Sequence, residues 1–237
     1  MPLTDAAGTT TAAILCGGLG TRLRPVAGDT PKALVEIAGA PFLDRLLAQL
    51  AASGLRDVVL CTGVGADSVA AHCGDGSRWG LEIRISREDT PLGTGGALGL
   101  ARGLIASSPF LVLNGDSFVE ADFRSLLSFH AARGAEATLL LVRVPDRSRF
   151  GSVRLADGSR IAAFEEKGLA GPGLVNAGVY ALSRTVLEAI PAGRPVSLES
   201  EVFPSLVGGA LFGFETEARF IDIGTPESLR EAGRFFA

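Results

Sequence analysis

Apolar and polar positions along this chain follow two alternating periods. Ala12–Cys16 is a short uninterrupted apolar run, which predicts a strand buried on both faces. Phe42, Leu43, Leu46, Leu47 and Leu50 then recur at helical spacing, and Gly54 supplies a stop. Asp57–Cys61 reads as a second buried strand, Ser68–Cys73 as a short helix, and the alternation of Leu81, Ile83 and Ile85 as a third strand. Gly95–Ile105 predicts a helix of small residues, and Phe110–Leu113 a buried strand that ends at Asn114-Gly115-Asp116. Phe123–Ala132 is helical and Ala137–Val144 extended. A β-α-β-α order of this kind implies a mostly parallel central sheet flanked by helices.

After residue 145 the pattern changes. Ser152–Leu155 and Arg160–Glu165 flank Asp157-Gly158, a hairpin signal. Val175–Leu182 is a further strand, with a helix from Arg184 to Ile190 behind it. Leu211–Glu215 and Arg219–Ile223 predict two late strands, and Thr225-Pro226 fits an N-cap with proline at the first helical position. No linker, repeat or low-complexity segment interrupts the chain. The expectation is one α/β domain over residues 11–237 with an inserted antiparallel portion, preceded by a flexible tail at 1–10.

Composition narrows the class. Hydrophobic residues make up 47% and charged residues 20% of the 237, enough for a substantial core. The formal net charge of -4 argues against a nucleic-acid partner. Cys16, Cys61 and Cys73 form neither a C-x-x-C pair nor an even set, so a reduced, cytoplasmic protein is expected. His72 and Cys73 are adjacent, but no second pair completes a metal site, and they read as structural. The N-terminus lacks the order of a signal peptide, and no uncharged apolar run is long enough to span a bilayer, so no membrane partner is expected.

The candidate chemistry begins directly after the first strand, at LCGGLGTRLRP (Leu15–Pro25). Glycines there let backbone approach a ligand closely. Gly18 and Gly20 match the first two positions of a dinucleotide fingerprint, but Leu23 stands in place of the third glycine, and no Lys-Ser or Lys-Thr completes a P-loop. What remains is a glycine loop with cations, Arg22, Arg24 and Lys32. In an open α/β sheet, ligands bind beyond the carboxyl ends of the strands. That places the loop, Asp116 in NGDS and Asp222 in FIDIGTP at one edge; singly the acids fit an Asn-Gly-Asp turn and a loop before a helix, and together with the glycine loop they suit Mg²⁺ and nucleotide phosphates. EDTPLGTGG (Glu88–Gly96) is a second glycine loop opening a helix, suited to a flat nucleobase or simply to a turn. Lys167 in Glu165-Glu166-Lys167 and Asn176 in VNAGVY could serve an anionic, hydroxyl-rich ligand or merely a solvated cluster and a turn. His130 lies on an amphipathic helix and reads as structural.

GGLGTRLRP, TPKALVEIAGAPFL, PLGTGGAL, LNGD, FEEK, VNAGVY and FIDIGTPE follow one another from about residue 12 to 233. In that order they resemble the sugar-1-phosphate nucleotidyltransferases, and SREDTPLGTGGAL and FIDIGTPE are most similar to the D-glycero-D-manno-heptose 1-phosphate guanylyltransferases. The resemblance implies a Rossmann-like fold of the nucleotide-diphospho-sugar transferase type. Its implied partners are an NTP, with GTP favoured, and a sugar 1-phosphate, with a homo-oligomer allowed for. Leu15, Gly17, Gly18, Gly20, Thr21, Arg22, Lys32, Pro91, Gly93, Thr94 and Gly95 would bind the nucleotide. Asn114, Glu165, Lys167 and Asn176 would engage the sugar phosphate. Asp116 and Asp222 would hold Mg²⁺, and Arg22, Lys32 and Asp116 would carry catalysis. Two departures stand out: Val26-Ala27 follow Pro25 where the family often has Leu-Thr, and Gly168 follows FEEK where proline is frequent. Neither removes a charged group. The chain ends soon after Asp222, without the long repeat domain of bifunctional relatives, so a single activity is expected.

Three rival readings remain. A glycosyltransferase would normally carry an Asp-x-Asp motif, but Asn114 replaces the first acid here. A nucleotide-sensing subunit would more readily have lost Lys32 or an acid. Transfer of CTP or another nucleotide onto a different sugar or a non-sugar phosphate would use the same nucleotide half.

Overall fold

The computed structural model describes residues 9–18, 20–28 and 30–237. The expected tail therefore lies outside the described residues except at Thr9 and Thr10, and Thr10 is buried. Strand β1 (Thr11–Leu15) runs through the middle of the sheet. It pairs in parallel with β4 (Asp57–Thr62) on one side and β6 (Phe110–Asn114) on the other, and β5 (Glu82–Arg87) adds to β4 in parallel. Alternation along β1 sends Ala12 and Ile14 to one face and Ala13 to the other. On the first face they meet Phe42, Leu43, Leu46, Leu47 and Leu50 of helix α1 (Phe42–Ala52). On the second they meet Ala97, Leu98 and Ala101 of helix α3 (Gly93–Ala101). Helix α2 (Ala66–Cys73) connects β4 to β5. The apolar runs are continuous because these strands are covered on both faces.

The antiparallel part begins at β11 (Gly173–Leu182), which pairs with β6 in opposite direction and carries β8 (Ala137–Val144) on its other edge. β12 (Leu211–Thr216) lies parallel to β8. The hairpin of β9 (Ser152–Leu155) and β10 (Ile161–Glu165) joins β11 at Val175↔Ser152, and a bridge from Arg160 to Phe212 ties it to β12. The sheet thus reads β5-β4-β1-β6-β11-β8-β12, with β9 and β10 attached. Helix α4 (Phe123–Ala132) precedes β8, and α5 (Arg184–Ala189) follows β11.

Two short ladders were not expected from the sequence. β2 (Glu36–Ile37) and β3 (Ala40–Pro41) form a small hairpin. β7 (Ser117–Val119) starts directly after Asp116 and pairs with β13 (Phe220–Asp222). The late strand predicted at 219–223 is therefore real, but its partner lies outside the main sheet. Helix α6 (Pro226–Phe235) starts as expected at Thr225, whose side chain and that of Ser228 form a capping box.

His72 is held by Asp44 at 2.5 Å and by Arg78, which fits a structural role. His130 is buried on α4, with Nδ1 3.0 Å from Thr138 Oγ1. Burial lowers its pKa from 6.5 to about 4, so the ring is neutral in the folded chain. An unfolded chain takes up that proton below 6.5, so this contribution is present above that pH and is lost as pH falls toward 4. The loss is at most about 3 kcal/mol. Denaturant unfolding of wild type and His130→Gln across this window should show the wild type losing more stability as pH falls. Parallel curves would mean that the folded ring is already charged.

Candidate active site

β1 and β6 end side by side, with Leu15 opposite Asn114. The two loops that leave them are pressed together: Gly115 N–H donates to the Leu15 carbonyl at 3.0 Å. Beyond these strand ends lies a cavity of about 270 Å³. Leu15, Gly17, Gly18, Gly20, Lys32, Pro91, Gly93, Thr94, Asn114 and Asp116 all line it, joined by Cys16, Ala33, Glu88, Ala97 and Gly115. Most of the predicted nucleotide residues are thus brought to one place. Thr21 and Arg22 are exposed on the turn that follows and are not among the lining residues.

Gly95 also stays off the wall, and the reason changes how the second glycine loop is read. The segment from Arg194 to Glu201 crosses over it. Gly95 N–H and Gly96 N–H both donate to the Val196 carbonyl, at 2.9 and 3.2 Å, and Val196 N–H donates to the Leu92 carbonyl at 2.8 Å. A Cβ on Gly93 would stand 2.6 Å from the Val196 carbonyl oxygen, and Gly93 has φ +70°. One on Gly95 would stand 2.9 Å from Val196 Cγ1. These glycines make room for protein backbone as well as for a ligand. Thr94 completes the lock: its hydroxyl donates to Glu199 Oε2 at 2.7 Å and accepts from Leu198 N–H at 2.8 Å.

Glu88, at the start of the second glycine loop, forms part of the cavity wall. Its Oε2 accepts the Leu92 N–H at 3.1 Å, and its Oε1 lies 2.7 Å from where a Gly17 Cβ would stand. Burial raises its pKa, with the Leu92 N–H acting in the opposite direction. Cys16, also on the wall, has its thiol pKa pushed up by burial and by the neighbouring Cys61, Cys73 and Asp116, which favours the neutral thiol over a thiolate.

The charged centre shares the cavity wall through Lys32 and Asp116. Lys32, at the start of a 3₁₀ turn (Lys32–Leu34), reaches Asp116 Oδ2 at 2.6 Å. The β7–β13 ladder, together with Ile223 N–H donating to the Asp116 carbonyl at 2.9 Å, brings Asp222 alongside. Asp222 Oδ1 accepts from Gly224 N–H at 2.8 Å and from the capping-box Ser228 at 3.1 Å. Its Oδ2 lies 3.4 Å from Arg149. Each acid therefore has a protein cation beside it. Two carboxylates with hard oxygen donors and no soft ligand suit Mg²⁺, which takes few protein ligands and completes its shell with phosphate and water. No group of three His, Cys, Asp or Glu side chains able to hold a metal occurs among the described residues.

Of the predicted sugar-phosphate residues, Glu165, Lys167 and Asn176 sit on the antiparallel side and Asn114 at the end of β6. Asn176 and Asn114 converge, each donating Nδ2–H to the Tyr180 hydroxyl, at 3.0 and 3.4 Å. Glu165 is engaged by protein: Arg147 and the Ser152 hydroxyl both reach its Oε2 at 2.8 Å. Lys167 is exposed beyond the end of β10. Tyr180, Glu199 and Val196 were missed from sequence, since nothing in their local pattern marks them.

A model of the nucleotidyl transferase family matches residues 11–237. A mannose-1-phosphate guanylyltransferase of Mycobacterium tuberculosis is 42% identical over 92% of this chain and 62% of its own length. The chain thus spans about three fifths of the curated relatives it matches. Crystal structures of HddC from Yersinia pseudotuberculosis superpose with TM-scores of 0.87 and, in a complex with GMP-PN, 0.86, at 35% identity over 96% of this chain and all of theirs. Among the described residues no helix is long and apolar enough to cross a membrane.

Gly93→Ala would force alanine into a left-handed conformation against the Val196 carbonyl, and should cost roughly 2 kcal/mol of stability. A thermal unfolding midpoint equal to wild type would show that residues 194–201 are not held against this loop.

Proposed function

Because the chain belongs to the nucleotidyl transferase family, we propose that it transfers a guanylyl group from GTP to a manno-configured sugar 1-phosphate, releasing pyrophosphate. The single observation that carries this reading is the Lys32–Asp116 pair, with Asp222 beside it, at the mouth of a glycine-lined cavity. Heptose and mannose are the two acceptors weighed. The motif resemblance favours D-glycero-D-manno-heptose 1-phosphate, and the curated relatives are named for mannose 1-phosphate. Both sugars share the manno ring configuration, and the heptose is favoured here.

A sugar-phosphate oxygen would attack the α-phosphorus of GTP. As that P–O bond forms, the bond from the α-phosphorus to the bridging oxygen breaks, and pyrophosphate leaves with the electron pair. The second pKa of a phosphate monoester is about 6, so the nucleophile is ionised near neutral pH and needs no general base. The barrier lies in bringing two anions together, which calls for positioning and cations. The glycine loop would surround the nucleotide, with Arg22 and Lys32 toward its triphosphate and Lys167 toward the acceptor phosphate. Asp116 and Asp222 would hold Mg²⁺, which supplies charge neutralisation at the phosphates when bound.

Glu88 supports guanine. A carboxylate accepts two hydrogen bonds side by side, and guanine offers adjacent N1–H and N2–H donors, an edge that adenine, uracil and thymine lack.

Pyrophosphate release, measured with Mg²⁺, each common NTP and a panel of sugar 1-phosphates, tests the reading. Release with GTP and the heptose or mannose phosphate is expected. Release with a different pair would keep the reaction and replace its substrates, and none from protein that binds nucleotide would overturn the transferase. Asp222→Asn should collapse turnover while the unfolding midpoint is kept, and normal Mg²⁺-dependent rates would remove Asp222 from the metal site. Glu88→Gln should lower kcat/KM for GTP about 10- to 100-fold, the worth of a bidentate base contact. An undiminished preference for GTP over ATP would assign base reading elsewhere.

A further inference from the structure

The one buried tyrosine of β11 lies between the two halves of this site, and the directions of its hydrogen bonds are fixed. Tyr180 is fully buried, and its ring packs edge-on against Phe203 with centroids 4.8 Å apart. Its hydroxyl donates to Glu199 Oε1 at 3.2 Å. A hydroxyl has one hydrogen, so with that hydrogen committed to a carboxylate the phenol oxygen can only accept. Asn176 and Asn114 must therefore turn their NH₂ groups toward it. Their carbonyl oxygens then point elsewhere. Asn176 Oδ1 accepts Gly178 N–H at 2.9 Å, at a bulge where Gly178 adopts φ +75° and where a Cβ would stand 3.0 Å from the Asn114 side chain. Asn114 Oδ1 is buried and has no donor in the protein.

The far end of the chain of bonds is equally determined. Glu199 Oε2 accepts from the Thr94 hydroxyl and, at 3.2 Å, from Ser197. Thr94 and Asn114 both line the cavity, whereas Asn176, bonded to the same Tyr180 hydroxyl, does not. Burial, reinforced by the Glu199 charge, keeps the phenol protonated far above its ordinary range, so the directions hold across all working pH. A buried acceptor without a donor calls for a partner. A hydroxyl group of a bound substrate supplies the type of donor that Asn114 Oδ1 lacks.

We propose that Glu199 and Tyr180 are positioning residues that fix the amides of Asn114 and Asn176, so that the Asn114 carbonyl accepts from a hydroxyl of the sugar 1-phosphate, and that tie this orientation to Thr94 in the nucleotide cavity. Occupation of one subsite then strengthens binding at the other. This inference rests on the reading of the site as one for a nucleotide and a sugar 1-phosphate.

Tyr180→Phe tests it, because it removes one oxygen and keeps the ring against Phe203. Calorimetric titration would give the affinity for a non-hydrolysable GTP analogue, and that for mannose 1-phosphate and D-glycero-D-manno-heptose 1-phosphate with and without the analogue. The variant should bind the sugar phosphate about tenfold more weakly when the analogue is present, the loss expected for one hydrogen bond. The analogue alone should bind within about twofold of wild type, since Thr94 keeps Glu199 and Leu198. The ratio of sugar-phosphate affinities with and without analogue should fall toward one. A purely structural tyrosine would leave that ratio unchanged, and an unchanged ratio overturns the relay. Glu199→Gln, which disturbs the same directions without touching the aromatic core, should lower the ratio too, and serves alone if Tyr180→Phe does not fold. Wild-type protein that binds the analogue but neither sugar phosphate would overturn the acceptor reading itself, whereas a normal wild type beside an unaltered variant overturns only the relay.

Discussion

The ladder between β1 and β6 is the constraint on which the site depends. Its register sets Leu15 opposite Asn114, so the glycine loop and the Gly115-Asp116 turn leave the sheet as neighbours. A Cβ at Gly115 would lie 2.6 Å from the Leu15 carbonyl oxygen, so the two turns are closer than any other residue at 115 would allow. Shifting β6 by one position would turn its buried side chains to the opposite face of the sheet. The register is therefore enforced by the core, and the position of Asp116 relative to the glycine loop follows from hydrophobic packing that is itself remote from the chemistry. Asp222 is added through a second, independent ladder, β7 with β13, and its rotamer is held by the helix cap that starts α6.

What this frame concentrates is charge of both signs. Lys32 and Arg149 stand against Asp116 and Asp222, so the acids are balanced by protein cations before any ligand arrives. Such a pair is half-exposed, and its own contribution to stability is small. Its value lies in pre-placement. A lysine already held at the carboxylate that would share the metal needs little reorganisation to meet a phosphate, and reorganisation is the term that positioned electrostatics removes.

Much of the fold was legible because burial imposes simple periods. Ala137–Val144 and Phe123–Ala132 were delimited correctly from sequence, since each is long and its pattern unmixed. β7 was not, because three residues cannot display a period and its partner lies about a hundred positions away. The segment 194–201 was equally silent. It leads into a π turn, Leu198–Val202, and its shape is set by bonds to Leu92, Thr94, Gly95 and Gly96, again about a hundred residues distant. The candidate site followed the same division. The glycine loop and Asp116 could be placed at one sheet edge from strand order alone. Glu88, Tyr180 and Glu199 could not, because their roles come from tertiary partners rather than from local spacing.

The glycines of PLGTGG show how a correct motif can carry an incomplete physical reading. Glycine after a strand suggests backbone approaching a ligand, and Gly93 does line the cavity. Yet the atoms nearest to the missing side chains at 93 and 95 belong to Val196. The loop is thin on both faces: one is turned to the cavity and the other is filled by residues 194–201. A base held against such a loop would rest on a wall that is itself anchored, through Thr94 and Glu199, to Tyr180 and so to Asn114 and Asn176. Loop rigidity and the proposed acceptor placement therefore share one set of hydrogen bonds. A change that loosens the loop should be felt at the acceptor even when it touches no ligand atom.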